Sequence, residues 1–230
     1  VVLQDGCNSQ VEIRADLADA PRATVVLDQA RPDIIVNLAA TTNVDECERQ
    51  PQLAYRANVR VVENLTRWIT GFEPHCHLIH ISTDQVYDGP GPHREDQITL
   101  TNYYAFSKYA GELAAAIVPS TILRTNFFGP SRCPARLSFS DWLVEALSRG
   151  EEIRVFEDVF FNPLSLTRLV ELIELTLTKR ARGVFNLGSR EGTSKADFAF
   201  ALAKVLGLPT GAMTVAKSTE SSLRAYRPKD

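Results

Sequence analysis

Along this chain, short apolar runs alternate with longer stretches whose apolar residues recur every three or four positions. Residues 1–4 read as a strand ending at Asp5-Gly6, and 21–30 as a helix. Pro32-Asp33 then leads into Ile34-Ile35-Val36-Asn37-Leu38, apolar on both faces as a central strand of a parallel sheet is. Residues 53–69 carry Leu53, Ala57, Val61, Leu65 and Ile69 at helical spacing. A strand over 77–82, a helix over 103–117, a strand over 121–124 and a helix over 138–147 follow; 153–156, 164–175, 184–187 and 196–206 continue the alternation. Strands separated by helices of about 10–15 residues predict repeated βαβ units, hence an α/β fold with a doubly wound, Rossmann-like parallel sheet. No internal repeat or low-complexity linker divides the chain, and the stretch 129–134 is the best place for a boundary.

Composition narrows the function classes. With 25 basic against 28 acidic residues, the net charge of −3 gives no electrostatic reason to expect nucleic acid or an anionic membrane surface as a partner. No apolar run approaches the roughly 18 residues a membrane span needs, and no basic, apolar leader opens the chain. Cys7, Cys47, Cys76 and Cys133 are scattered without Cys-x-x-Cys spacing, which suits reduced thiols in a cytoplasmic protein. His75, Cys76, His77 and His80 straddle a strand entrance where side chains alternate faces, and no carboxylate completes a ligand set, so no metal is expected.

In a sheet of this kind ligands lie beyond the carboxyl ends of the strands. Those ends are Asp5-Gly6, Ala39-Ala40-Thr41-Thr42, Ser82-Thr83-Asp84-Gln85 and Thr125-Asn126, all small or polar. Tyr104 and Lys108 stand four apart near a helix start and share one face. A phenol with an ordinary pKa of about 10 is a poor acid–base group at neutral pH; a neighbouring ammonium lowers that value and fits the phenol for proton transfer. Alone, such a pair is better explained by a surface Tyr and a solvated Lys. Ser82-Thr83-Asp84, closing a strand upstream, places a hydroxyl where it could bond the same substrate oxygen, and the small residues at 39–42 let a cofactor lie against the backbone.

Asn37-Leu-Ala-Ala-Thr-Thr-Asn-Val-Asp45, Ile81-Ser-Thr-Asp-Gln-Val-Tyr-Asp-Gly89, Asn102-Tyr-Tyr-Ala-Phe-Ser-Lys108 with Gly111-Glu112, and Leu123-Arg-Thr-Asn126 together resemble the extended short-chain dehydrogenase/reductases, and within them the dTDP-4-dehydrorhamnose reductase group. The resemblance runs from residue 1 to Arg227-Pro228. It implies hydride transfer from NADPH or NADH to a 4-keto-6-deoxy sugar linked to a nucleoside diphosphate. It places the hydroxyl on Thr83, the acid–base on Tyr104 and the lysine on Lys108. Cofactor contacts fall on Asp16, Leu17, Ala39, Ala40, Thr41, Asn58 and Lys108, and substrate contacts on Thr42, Val44, Asp84, Gln85 and Asn126. Residues 1–130, with 161–180 returning to them, are expected to bind the dinucleotide, and 131–230 mainly the substrate. The helices over 53–69 and 103–117 correspond to those that pair across a dimer in the wider family, implying a homodimer.

Departures from the pattern refine it. Sugar-nucleotide dehydratases carry Glu where Gln85 stands, and an amide cannot exchange the proton that water elimination needs, so reduction is favoured. None of the 12 glycines forms the Gly-x-x-Gly-x-x-Gly turn that meets a pyrophosphate at a helix N-terminus. The sequence therefore reads as a shortened representation of a longer protein, lacking the first βα unit and the usual C-terminal helices. Asp5 is placed to bond ribose hydroxyls and Arg14 to meet a 2′-phosphate, leaving the choice of dinucleotide open. Asn162 is expected on the substrate side. Arg124 has two readings, a diphosphate contact or a buried ion pair. Two other functions fit the same resemblance: a non-catalytic subunit, as in the regulatory beta subunit of methionine adenosyltransferase, and a sugar-nucleotide epimerase.

Overall fold

A computed structural model describes residues 2–4, 13–89, 91–131 and 137–218. Asp5, Gly6, Cys7, half of the expected boundary at 129–134 and the terminal Arg227-Pro228 lie outside them. The elements are β1 (Val2–Gln4), β2 (Ile13–Ala15), α1 (Ala20–Ala30), β3 (Ile34–Asn37), α2 (Val44–Arg49), α3 (Pro51–Tyr55), a π-turn (Arg56–Arg60), α4 (Val61–Phe72), β4 (His77–Thr83), α5 (Tyr103–Ala115) and β5 (Ser120–Phe128). There follow α6 (Phe139–Ser148), β6 (Ile153–Phe156), β7 (Phe160–Phe161), β8 (Pro163–Ser165), α7 (Leu166–Lys179), β9 (Gly183–Leu187), β10 (Thr193–Ser194), α8 (Lys195–Leu206) and β11 (Met213–Ala216).

The main sheet is parallel. β3 pairs with β4 and β4 with β5. The far edge of β5 pairs first with β9, then from Asn126 onward with β8. Successive strand residues face opposite ways, and both faces are covered. Leu78 and Ile122 turn toward α1, α4 and α5, where Val26, Leu65, Trp68, Ile69 and Ala115 close over them. Ile79, Ile81 and Leu123 turn the other way, under Ile173 and Leu177 of α7. A second core gathers Leu143, Leu147, Val155, Phe161, Phe198 and Ala199 from α6, α8 and the short strands. There Phe161 and Phe198 meet edge to face with ring centroids 5.3 Å apart. The expected doubly wound, Rossmann-like architecture is therefore what the chain adopts.

Two local readings differ. Residues 34–38 read as a central strand, yet β3 lies at the edge of the main sheet, half-buried, and Leu38 beyond it is 61% exposed; among the described residues no strand pairs with its outer side. The helix expected over 53–69 is interrupted by the π-turn, whose wider coil sets Asn58 and Val59 side by side in the interior.

Candidate active site

The strands set the site. β4 ends at Thr83, and the chain turns at once into a short 3-10 helix over Asp84–Val86, with the Thr83 hydroxyl accepting from the Gln85 amide at 3.2 Å. α5 starts beside it, capped by the Asn102 side chain, which accepts from the Ala105 amide at 2.8 Å. Tyr104 and Lys108 lie on the buried face of that helix. The Tyr104 phenol lies near enough to the Thr83 hydroxyl to feel it, and Tyr104 packs with Val44, Cys47 and Ala54. The structure thus brings Thr83, Tyr104 and Val44 together, with Lys108 one turn along.

Electrostatics at the pair run against the first expectation. Burial pushes the Tyr104 phenol well above its ordinary value; the Thr83 hydroxyl opposes this, while Asp84 and Cys47 add to it. The Lys108 ammonium, one turn along, donates to the Ile81 carbonyl at 2.7 Å. Burial draws Lys108 down to about 8, and Glu112 opposes that shift. Tyr104 is therefore a protonated phenol at neutral pH, the state a proton donor needs.

A polar chain links α5 to the cofactor side. The Ser107 hydroxyl donates to the Tyr104 carbonyl at 2.9 Å and accepts from the Asn58 amide at 2.8 Å. Asn58 then clasps Thr41, accepting from its N–H at 2.8 Å and donating to its carbonyl at 3.1 Å. The segment after β3 with Ala39, Ala40 and Thr41 is thus fixed relative to the catalytic helix. Asn58 itself is fully buried, and its side chain is taken up by this bracing. Gly111 permits the packing: a Cβ there would sit 2.4 Å from the Asn58 carbonyl oxygen. His80 accepts through Nδ1 from the Asn37 Nδ2 amide at 3.0 Å, and its Nε2 has no partner among the described residues. Burial, then Lys108, hold its pKa far below the usual range, so it is neutral.

Asp16 and Leu17 stand apart from the pair. Asp16 accepts from the Ala18 amide at 2.9 Å and pairs with Arg56 of the π-turn; the Leu17 carbonyl accepts from Asn64 at 2.9 Å. Thr42 is exposed after β3. The residues at 39–42 and Lys108, with ammonium hydrogens beyond the one given to Ile81, are those that could hold a dinucleotide at the strand ends. Asp5, read as a ribose contact, lies outside the described residues.

On the substrate side a cleft of about 430 Å³ opens where β4, β5 and β9 end, lined by Asp84, Tyr87, His93, Asn126, Asn162, Asn186 and the loop 188–190 among others. Asn126 donates to Asp84 at 3.2 Å. Burial raises the Asp84 carboxyl above its ordinary value, and Lys195, Asn126 and Thr83 act against it. Gln85 lies beside this cleft without lining it; its Oε1 is buried and has no partner among the described residues. Arg124 resolves to the ion-pair reading. Its Nη2 meets Glu112 at 2.6 Å, Nε reaches both carboxylate oxygens, and Nη1 donates to the Tyr87 hydroxyl at 2.6 Å and the Glu95 carbonyl at 2.8 Å. Ser82 donates to the same carboxylate. Tyr87 in turn donates to Asn186 at 2.6 Å and stacks on His93, so α5 also anchors the cleft wall. The sequence motifs contained Glu112 and Arg124 but gave no sign that they meet; Ser107 and Asn186 were missed altogether.

No helix among the described residues is long and apolar enough to cross a membrane. Among them, too, no group of three or more His, Cys, Asp or Glu could hold a metal. His77 bonds to Thr121 at 2.8 Å instead.

A probable low-salt glycan biosynthesis reductase of Haloferax volcanii is 28% identical over 201 residues, 84% of this chain and 66% of that protein. A dTDP-4-dehydrorhamnose reductase of Sinorhizobium fredii is 32% identical over 201 residues, 80% of this chain and 64% of its own length. The chain thus spans just under two thirds of these relatives. The crystal structure of a hypothetical dTDP-4-dehydrorhamnose reductase from Sulfolobus tokodaii superposes with a TM-score of 0.88 at 29% identity, covering 100% of this chain and 81% of that one. The family model of the RmlD substrate binding domain matches residues 4–230, and the chain belongs to that family.

Proposed function

We propose that the full-length protein is an NAD(P)H-dependent reductase of a 4-keto-6-deoxy sugar carried on a nucleoside diphosphate. The observation that carries this reading is the buried set of Thr83, Tyr104 and Lys108 at the junction of β4 and α5, next in the chain to Asp84, which lines the cleft. A reduced nicotinamide, when bound, supplies the hydride. The chain's own residues do the rest. Thr83 and Tyr104 hold the substrate's keto oxygen between two hydroxyls. Tyr104, kept protonated by burial, delivers its proton to that oxygen as it becomes an alkoxide. Lys108 stabilises the phenolate left behind and donates to the ribose. Thr42, Val44, Asp84, Gln85 and Asn126 belong to the substrate side of this reading, and Asp5, Asp16, Leu17, Ala39, Ala40, Thr41 and Asn58 to the cofactor side. Gln85 supports reduction over dehydration because an amide exchanges no proton.

Residues 1–130 with 161–180 form the dinucleotide region and the rest of 131–230 the substrate region, a division supported by α7 packing on the main sheet and by the separate core under α6 and α8. Homodimer formation belongs to the same reading and is supported by Tyr103, Phe106 and Leu113, exposed along the outer face of α5. A cytoplasmic setting is supported by the free thiols of Cys47 and Cys76.

The test is loss of reduced-nicotinamide absorbance by the full-length protein, expected only when a 4-keto sugar nucleotide is present. Tyr104→Phe should lower kcat by roughly 10²–10⁴-fold while circular dichroism and melting temperature stay unchanged. Undiminished turnover in that variant overturns the assignment of Tyr104. Absence of turnover together with a co-purifying enzyme overturns the reductase reading in favour of a binding subunit.

A further inference from the structure

The geometry points to Arg190 as the residue that holds the diphosphate of the substrate, presented to the cleft by a loop that Asn162 shapes; this rests on the sugar-nucleotide reading above. Two arginines line the cleft. Arg124 is 3% exposed and its guanidinium is taken up by Glu112, Tyr87 and Glu95. Arg190 is exposed and has no ion-pair partner among the described residues. Its neighbour Glu191 does not line the cleft.

Charge decides which way a sugar nucleotide lies here. The Asp84 carboxylate next to Thr83 disfavours a diphosphate nearby, whereas an uncharged keto sugar can sit against it. Lys195 does not change this, because its ammonium is seated over the Phe161 ring at 3.2 Å and acts on Asp84 itself. The diphosphate must therefore meet its cation elsewhere on the wall. A guanidinium matches phosphate oxygens with two parallel N–H bonds.

The loop that carries Arg190 is built, not slack. Asn162 donates through Nδ2 to the Ser189 carbonyl at 3.1 Å, and its own carbonyl accepts from the Ser189 amide at 3.3 Å. The Ser189 hydroxyl donates to the Glu191 carbonyl at 3.0 Å. Gly188 lies so close that a Cβ there would be 2.8 Å from the Asn162 Cβ. Asn162, expected to touch substrate, is a positioning residue that acts through Arg190.

The experiment is calorimetric titration of the full-length protein with UDP, with dTDP and, as a control, with NADPH. Arg190→Ala should weaken nucleoside diphosphate binding about 10–100-fold and flatten its dependence on salt, leaving NADPH affinity within about twofold. Arg190→Lys should recover part of the loss, since it restores the charge without the fork. Asn162→Ala should weaken the same ligands less, and should add nothing once Arg190 is alanine; a merely structural role would lower affinity equally in both backgrounds. Wild-type binding that Arg190→Ala leaves unchanged overturns this assignment alone. A wild-type protein that binds neither UDP nor dTDP overturns the assignment and the nucleotide-sugar reading together.

Discussion

The inner face of α5 and the outer rim of the site are both rich in polar groups, yet they use them in opposite ways. On the inner face Lys108, Glu112, Arg124 and Asn58 are buried, and each is bonded to groups on other elements. Water cannot replace those partners, so the bonds fix where Tyr104 stands relative to β4, the segment after β3 and the cleft wall. On the rim Asp16, Arg56, Thr42 and Arg190 meet solvent, and their contacts are replaceable at little cost. Burial makes a polar group a strut; exposure leaves it free to read a ligand.

The largest effect that tests this contrast comes from the Glu112–Arg124 pair, 2% exposed on both sides. Glu112→Ala would leave the guanidinium buried without its carboxylate and should cost about 3–5 kcal/mol in urea unfolding. Replacing both partners, Glu112→Leu with Arg124→Met, should cost far less, because no charge is then stranded. Equal losses in the single and double variants would break the comparison.

Lys108 gives the next effect and a pH signature. Its folded pKa of about 8 lies below the ordinary 10.5, so between those values the unfolded chain holds the extra proton and stability rises with pH. The full cost of burying the charge, on the order of 3 kcal/mol, stands below about pH 8. Cys47 and Cys76, each pushed by burial to about 11 from 9.0, pull the other way between those values. The clean window is therefore pH 8 to 9, where the wild type should gain about 1 kcal/mol relative to Lys108→Met. Parallel stability curves in that window would show that Lys108 is solvated after all.

The same contrast explains what could be read from the chain. Thr83, Tyr104 and Lys108 were legible because each sits at a strand end or helix start that short-range pattern marks. Glu112 and Arg124 were visible as residues but silent as a pair, since their meeting depends on how α5 lies across β5. Arg124 kept two readings until its partners were seen. The resemblance puts Asn58 among the cofactor contacts, but its bracing of Thr41 and Ser107 comes from a π-turn that no 3.6-residue periodicity reveals. β2, at three residues, is too short for alternation to register, and the apolar run of β3 could not show which of its edges lacks a partner.

The smallest effect should come from the rim. Arg56 is 60% exposed and Asp16 33%, so their ion pair works in high dielectric and through a long, mobile side chain. Arg56→Ala should cost less than about 1 kcal/mol, and added salt should shrink the difference further by screening the wild-type pair. Burial pushes the Asp16 carboxyl up, but the Ala18 amide and Arg56 outweigh it and hold the group below its ordinary value. The variant keeps the Ala18 bond, so Asp16 remains ionised at neutral pH and still faces outward. Urea unfolding at low and high salt then separates a strut from a ligand-facing group. A loss approaching that of Glu112→Ala, insensitive to salt, would mean that Asp16 and Arg56 brace the π-turn as the inner residues brace α5, and the division between face and rim would fail at that point.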